Sequence, residues 1–557
     1  MVNWGRRSLG CYLCRARRIK CDETKPACNQ CVKTRRTCPG YRELSTIKSP
    51  GSRTSPDRQP NIIDRGRNTV SPPRVVGHVS TPISVDVEQQ ALCFFLTNFV
   101  LTSMGDKMKG KLDFVVPMLS SGHKTPLNTA FTALTFAALG NEPSGKCLIP
   151  GARRQYHRAM QEAKLALKDP TTATLDSTLA TVVLFGYFEG VTADKFAPVI
   201  AHIDGAVTLL KLRGHKQPES QFFCQLFKEI RQQATVNAFV RAISIDKDVD
   251  WFMIDEPDHC REAAELNILT TTLQEDCERL LNLATHTKAV LKQVTELSIR
   301  AEALEARFLE WTKSLPKSWQ PRTAAWTDYI RDIDLENSNM FPGKADLYED
   351  IDIATTWNLS RGARLIVSSV WIRCTAFLHH PNDYRVSHEY AKAWRVGSEW
   401  IGDIIASVPY FCGWQYTEGF EGDYDDHLTK FAKLGYFTSP GKGINGMMLM
   451  WPLLMARCSD YASVGQRKWL AGRMDLIPKR MGFNNSIGFS EVDICLPSAM
   501  IMKDTAMIPG SVYTDCWRGP NARPSTDESV QEDEFLNRSM DEKQLEEMRQ
   551  KMVRVDS

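Results

Sequence analysis

Between residues 88 and 500 the apolar positions recur at intervals of three and four, the period of a helix that hides one face. The spacing predicts helices over 88–104, 127–139, 152–168, 175–191, 200–213 and 219–242. More follow within 261–313 and over 353–379, 386–407, 444–460 and 463–480. Gly140, Gly214 and Gly482 stand just past predicted ends, where a glycine closes a helix. No run of alternating strands breaks the pattern, and no internal repeat marks a solenoid. The body is expected to be all-helical, with about 400 residues to build a large core.

One stripe inside this pattern allows two readings. Val290, Val294, Leu297, Ala301, Leu304 and Phe308 keep a 4-3-4-3-4 spacing. That is the minimum length for a coiled-coil seam, and a buried helix produces the same spacing. Trp311, Leu315 and Pro316 follow as the end of a packed helix would, which favours core over a dimer seam.

The segment 43–87 lacks the helical period. It contains SPGSRTSPDRQP and VSPPRVVGHVSTP, with Pro50, Pro56, Pro60, Pro72, Pro73 and Pro82 among Ser, Thr and Arg, the composition of a disordered linker. Its prolines would break a coiled coil. Action as a monomer and homodimer formation through the helical body both stay open.

Charge divides the chain of 557 residues further. Residues 1–50 hold 12 Lys/Arg against 3 Asp/Glu, a net of +9, whereas the remainder holds 57 against 63, a net of −6. A basic head on a mildly acidic body suits a polyanion at one end. Residues 1–10, MVNWGRRSLG, lack the apolar core of a signal peptide. The longest apolar runs, such as MMLMWPLLMA at 447–456, fall short of the roughly 18 residues that span a bilayer. The expectation is an intracellular protein with no membrane partner, in which clustered cysteines are metal ligands and not disulfides.

Six of the 16 cysteines cluster in the basic head, at 11, 14, 21, 28, 31 and 38. The unit Cys-x2-Cys-x6-Cys occurs twice, 17 residues apart. A Cys-x2-Cys pair points two sulfurs the same way, Arg15 to Lys20 make a short helix, and Cys21 closes the unit. Zinc accepts thiolates tetrahedrally, and six thiolates serve two four-sulfur sites only if two sulfurs are shared. Two zinc ions and six thiolates sum to −2, so the head keeps a charge of about +7. A unit this small has almost no apolar core, so the metal must supply its folding energy. The other ten cysteines are scattered and read as small core residues.

These spacings, with Arg15 after the second cysteine, Lys20 before the third and Lys25-Pro26 before Cys28, resemble the fungal binuclear zinc-cluster DNA-binding domain. The resemblance covers about residues 9–41. It implies two zinc ions on Cys11, Cys14, Cys21, Cys28, Cys31 and Cys38, and double-stranded DNA as partner. It also implies a first helix in the major groove over a CGG triplet, with Arg18 at the base-reading position and Arg17 beside it. Arginine suits that role, since its fork bonds guanine O6 and N7 together. Arg15, Lys20, Lys33, Arg35 and Arg36 are assigned to phosphates, which position without specifying.

The body phrases LATVVLFGYFEG (179–190), HIDGAVTLLKLRG (202–214), LSRGARLIVSSVWIRC (359–374), IGDIIASVPYF (401–411) and GMMLMWPLLMARC (446–458) resemble the second family of fungal-specific transcription-factor domains. That resemblance is looser and implies a helical regulatory region, not an enzyme.

The implied organisation is mainly α. It comprises a zinc-stapled DNA-binding head (1–42), the linker (43–87), an all-helical regulatory domain (88–500) and an acidic, partly disordered tail (501–557). The tail mixes acidic residues with Phe535, Leu536, Met540, Leu545 and Met548, as an activation segment or a solvated terminal helix would.

Such a protein would regulate RNA polymerase II genes in the nucleus, of a metabolic or secondary-metabolite pathway. The competing reading is a metabolite receptor or enzyme-like body carrying a DNA-binding head, and a small-molecule inducer is compatible with either. Gly441-Lys-Gly443-Ile-Asn-Gly446 matches a dinucleotide loop by letter but has no strand–helix unit around it, so it reads as a loop opening a helix. His379-His380-Pro381 lacks a ligand partner four residues away and reads as a helix end.

Overall fold

The helical period of the body is realised in the structure, a computed structural model. It describes residues 11, 13–14, 17, 19–22, 24, 27–34, 38, 86–101, 110–119, 125–192, 197–214, 221–282, 286–331, 335–416, 431–433, 442–482 and 496–505. Two units divide the chain, Met1–Pro82 and Ile83–Ser557. Residues 43–85 of the expected linker and 506–557 of the expected tail lie outside the described residues.

In the first unit the described helix is α1, Asn29–Lys33. The second unit begins with α2 (Val87–Phe99), α3 (Pro126–Gly140), α4 (Ile149–Ala166), α5 (Asp176–Thr192), α6 (Ala197–Arg213) and α7 (Gln221–Arg241). It continues with α8 (Asp258–Leu281) and α9 (Lys288–Ser314), then the strands β1 (Arg322–Thr327) and β2 (Gly343–Leu347). Next come α10 (Ile351–His379), α11 (His388–Phe411), β3 (Trp414–Tyr416) and β4 (Phe431–Lys433). The last are α12 (Lys442–Arg457), α13 (Val464–Met481) and α14 (Ser498–Thr505).

A helix that is apolar all round must be buried, and α10 is that helix. Residues around its whole circumference are buried, from Ile351 and Ala354 to Cys374 and Phe377. It packs against α8, α9, α11, α12 and α14, and one continuous core runs from Phe95 on α2 to Ile501 on α14. The stripe on α9 belongs to this core: Val294, Leu297, Ala301, Leu304 and Phe308 are buried, and α9 lies against α8 and α10. Trp311 is fully buried and gives its indole N–H to the His259 carbonyl at 2.9 Å. That seam is intramolecular.

The ends differ from the expected ones in instructive ways. The first body helix stops at Phe99 and not near 104, because Val100 turns extended and Leu101 pairs with Lys111 through N–H···O bonds of 3.0 and 2.8 Å. The 261–313 stretch is two helices; Thr287 starts the second by accepting the Val290 N–H. Gly214 (φ +66°) and Gly482 (φ +75°) close their helices left-handed, whereas Gly140 stays helical and Asn141 caps. Gly443 lies within α12, where an added Cβ would come 2.5 Å from the Phe99 ring, so this glycine serves close packing. His379 ends α10 and His380 caps it.

The expectation of no strands needs correcting. β1 pairs antiparallel with β2, and β3 with β4, as two separate ribbons. A bulge between Thr323 and Ala325 buries Ala324 and Ala325 side by side, which erases the alternation that announces a strand. β3 and β4 span three residues each, too short to show a period.

Several charges lie inside the body in pairs. Arg373 holds Asp504 through two bonds of 2.7 and 2.9 Å and also meets Glu278. Arg231 holds Glu256 at 2.7 and 2.8 Å. Lys111 lies 2.9 Å from Asp352 and 3.7 Å from Glu229. Burial alone would lower the Lys111 pKa, but Asp352 and Glu229 outweigh it and raise it, so the ammonium stays charged. Among the described residues, no helix is long and apolar enough to cross a membrane.

Candidate metal centre and nucleic-acid interface

The head has sulfur where a domain usually has hydrocarbon. Cys11, Cys14, Cys28 and Cys31 are buried, with Leu13, Cys21 and Cys38 partly buried against them. The two halves of the repeat are built alike. Cys14 N–H points at Cys11 Sγ and Cys31 N–H at Cys28 Sγ, each at 3.4 Å. Cys11 N–H in turn points at Cys21 Sγ, also at 3.4 Å. The bond from Cys31 favours the thiolate form of Cys28, the form that binds metal.

Two four-sulfur sets result, Cys11–Cys14–Cys21–Cys28 and Cys11–Cys28–Cys31–Cys38. They have Cys11 and Cys28 in common. Sulfur–sulfur separations are 3.6 Å for Cys11–Cys28 and Cys14–Cys28, and 3.8 Å for Cys11–Cys31. A tetrahedron with Zn–S arms of about 2.3 Å has edges of roughly 3.8 Å, whereas a disulfide would need about 2.05 Å. The donor set fits two zinc ions bridged by two sulfurs. Burial and the neighbouring Cys11 sulfur push the Cys14 thiol up to about 12, and burial raises Cys28 and Cys31 too. Without cations these sulfurs would hold their protons; bound zinc would displace the protons and supply the balancing charge.

The loop joining the halves is clamped by a residue that spacing did not single out. Asp22 Oδ2 accepts from Thr24 Oγ1 at 2.5 Å, Asn29 Nδ2 at 2.7 Å and Asn29 N–H at 3.1 Å. The Thr24 bond is the main reason that the Asp22 carboxyl drops to about 2. Asp22 thereby ties the first half to the start of α1. The available signal was a carboxylate ahead of a helix start, a pattern too common to be noticed alone.

Of the basic residues assigned to DNA, Arg17, Lys20 and Lys33 are exposed and free to meet a phosphate. Arg15, Arg18, Arg35 and Arg36 lie outside the described residues. The helical turn expected over Arg15–Lys20 already includes Leu13 and Cys14, and its Arg17 N–H bonds the Leu13 carbonyl at 3.1 Å. Ile19 and Lys20 lie past its end.

A buried sulfur cage with basic side chains around it defines a metal-stapled nucleic-acid-binding module. Residues 9–47 match the family model of the fungal Zn(2)-Cys(6) binuclear cluster domain, which binds two zinc ions. Transcription factor dbaG of Emericella nidulans is 21% identical over 405 residues, 72% of this chain and 90% of that protein. Transcriptional regulatory protein moc3 of Schizosaccharomyces pombe is 49% identical over 53 residues, 9% of this chain and 10% of its own. The aspercryptin biosynthesis cluster-specific transcription regulator atnN of Emericella nidulans is 51% identical over 41 residues, 7% of each chain. The last two matches are the length of the head; the first is too long for the head alone and takes in much of the body. No solved structure matches. The chain is a zinc-dependent, DNA-binding transcription regulator with a fungal binuclear zinc cluster.

Proposed function

We propose that Cys11, Cys14, Cys21, Cys28, Cys31 and Cys38 are the ligands of the two zinc ions, with Cys11 and Cys28 bridging them. The observation that carries this is the pair of four-sulfur sets with two sulfurs in common. The head reads a CGG-type element through Arg18, assisted by Arg17, while Arg15, Lys20, Lys33, Arg35 and Arg36 hold phosphates. The exposure of Arg17, Lys20 and Lys33 supports that division. The body from 88 to 500 is a non-catalytic regulatory domain acting in the nucleus, and relatives named as transcription factors support this reading. A regulatory body of this kind is also where pairing of two chains and response to an inducer would reside. The pathway is one of secondary metabolism, a reading supported by the name of the cluster-specific regulator that the head resembles.

Arg18→Ala tests the base-reading role. We expect selectivity for CGG-containing over scrambled DNA to fall by about 1–3 kcal/mol in competition binding, with two zinc ions per chain retained. Unchanged selectivity with zinc intact would remove Arg18 from that role.

A further inference from the structure

Helix α4 carries a row of positive charge that the body does not answer. Arg153, Arg154, Arg158 and Lys164 lie along it, with Lys168 just past its end, and all five are exposed. Side chains three and four residues apart share a helix face, so the five form one stripe. Glu162, the carboxylate within the helix, pairs with Arg158 at 2.8 Å. Asp169, the next carboxylate along the chain, is engaged by the Thr171 N–H and hydroxyl at 2.9 and 2.8 Å. Among the described residues, Arg153, Arg154, Lys164 and Lys168 enter no ion pair. Helix α13 is also rich in cations, but it buries Arg473 and pairs Lys479 with Asp475.

Cations four residues apart, such as Arg154 with Arg158 and Lys164 with Lys168, repel one another and destabilise a helix. The stripe therefore gains from an anionic neighbour. Met160 and Leu165 flank it and are 41% and 66% exposed, so a fitting neighbour mixes carboxylates with apolar side chains. The chain contains such a segment. Residues 527–547 hold nine Asp/Glu against two Lys/Arg, a net of −7, with Phe535, Leu536, Met540 and Leu545 among them. Residues 506–526 join this segment to α14, which ends at Thr505. A stretch of that length spans about 70 Å when extended, whereas a domain of roughly 400 residues has a radius of gyration of about 21 Å. The tether is long enough to reach any face of the body, and it holds the segment at an effective concentration on the order of millimolar.

We propose that residues 527–547 dock on the basic stripe of α4. Their carboxylates meet Arg153, Arg154, Lys164 and Lys168, and their apolar side chains cover Met160 and Leu165. The body thereby holds the acidic segment of its own chain, and any other basic partner of that segment competes with α4 for it. This goes beyond the regulator reading and involves no DNA, so either can fail while the other stands.

The experiment treats the full-length, zinc-loaded chain, free of DNA, with a carbodiimide, which joins a lysine amine to a carboxylate in direct contact. Light and isotope-labelled chains are mixed, so that links within one chain separate from links between two. We expect Lys164 and Lys168 to couple to carboxylates of 527–547 in their own chain. Coupling should be largely lost in about 0.5 M NaCl, where exposed charges are screened. Arg153→Glu combined with Arg154→Glu leaves both lysines in place and should reduce coupling about fivefold, the scale of two exposed charge pairs. The link between Lys211 and Asp246, 3.1 Å apart, serves as the reference for a folded body. The proposal is overturned if Lys164 and Lys168 do not couple to 527–547, as a stripe reserved for nucleic acid or another protein would have it. It is equally overturned if the links join two chains, if salt leaves them unchanged, or if the double variant, its reference link intact, couples as the wild type does.

Discussion

Cys11 and Cys28 belong to both sulfur sets, whereas Cys38 belongs to one. Removing a shared sulfur leaves neither set with four donors. Cys28→Ala is therefore expected to lose both zinc ions and the fold of the head, while Cys38→Ser retains one ion. Metal analysis per chain distinguishes the two; equal zinc in both variants would refute the sharing. Cysteine spacing was enough to count the ions, because ligand pairs three residues apart are local. Which sulfurs are shared was not legible, since that depends on two halves meeting in space. The same limit hid the buried pairs Lys111–Asp352 and Arg373–Asp504, whose members lie far apart along the chain.

His202 and His286 give the body its acid response. Burial lowers the pKa of His202 despite the nearby Glu189 charge, and its Nε2 lies 2.8 Å from the Tyr156 hydroxyl. Burial also lowers His286, with His380 adding repulsion. The unfolded chain protonates these rings near pH 6.5, whereas the folded chain resists. Their stabilising contribution is present above about pH 6.5 and is lost as pH falls below it. Thermal unfolding of the full chain should show Tm falling between pH 7 and 5.5, and His202→Gln should flatten that slope.

At the scale of elements, helix α11 holds two glycines with opposite duties. A Cβ on Gly397 would come 2.3 Å from the Tyr461 ring, and that ring is fixed by the Tyr461 hydroxyl against Ser368 at 3.1 Å. Gly402 has nothing within 4 Å of its would-be Cβ. Gly397→Ala should destabilise the body by about 1–3 kcal/mol through overpacking. Gly402→Ala should stabilise it by about 0.5–1 kcal/mol through helix propensity. Denaturant midpoints of the two variants, moving in opposite directions, check the assignment.

Most helices were legible because their apolar period ran for three turns or more. The ribbons were not, since a bulge and a length of three residues removed the only signal a strand has. The helix over 444–460 was legible despite its proline: Pro452 has no N–H to offer the Met448 carbonyl one turn back, yet the apolar period carries α12 through it.

Across the whole molecule, positive charge is concentrated at one end, +9 against −6. Five of the seven basic residues proposed for DNA are given to phosphates. Affinity for specific DNA should then fall with a log–log salt slope of about −4 to −5. A slope near zero would argue for a head that serves protein contacts only. The other end of the body is held by charge as well. Helix α14 is docked through Ile501 and the Asp504–Arg373 pair, both buried. Asp504→Asn removes one of the two carboxylates that face Arg373 and leaves Glu278, so it should cost roughly 1–3 kcal/mol of unfolding free energy. A chain ending before Ser498 should lose much of its cooperative transition in denaturant unfolding, since it lacks α14.

The two sulfurs common to both sets also bear on how zinc would load. With Cys11 and Cys28 as shared ligands, the first ion to bind would order half the coordination shell of the second. Loading would then be a paired event, with few singly loaded chains at equilibrium and an occupancy that rises with zinc more steeply than for independent sites; a zinc titration with a Hill slope near one would refute it. Near the threshold, a modest decline in free zinc would remove the DNA-binding surface from most copies at once.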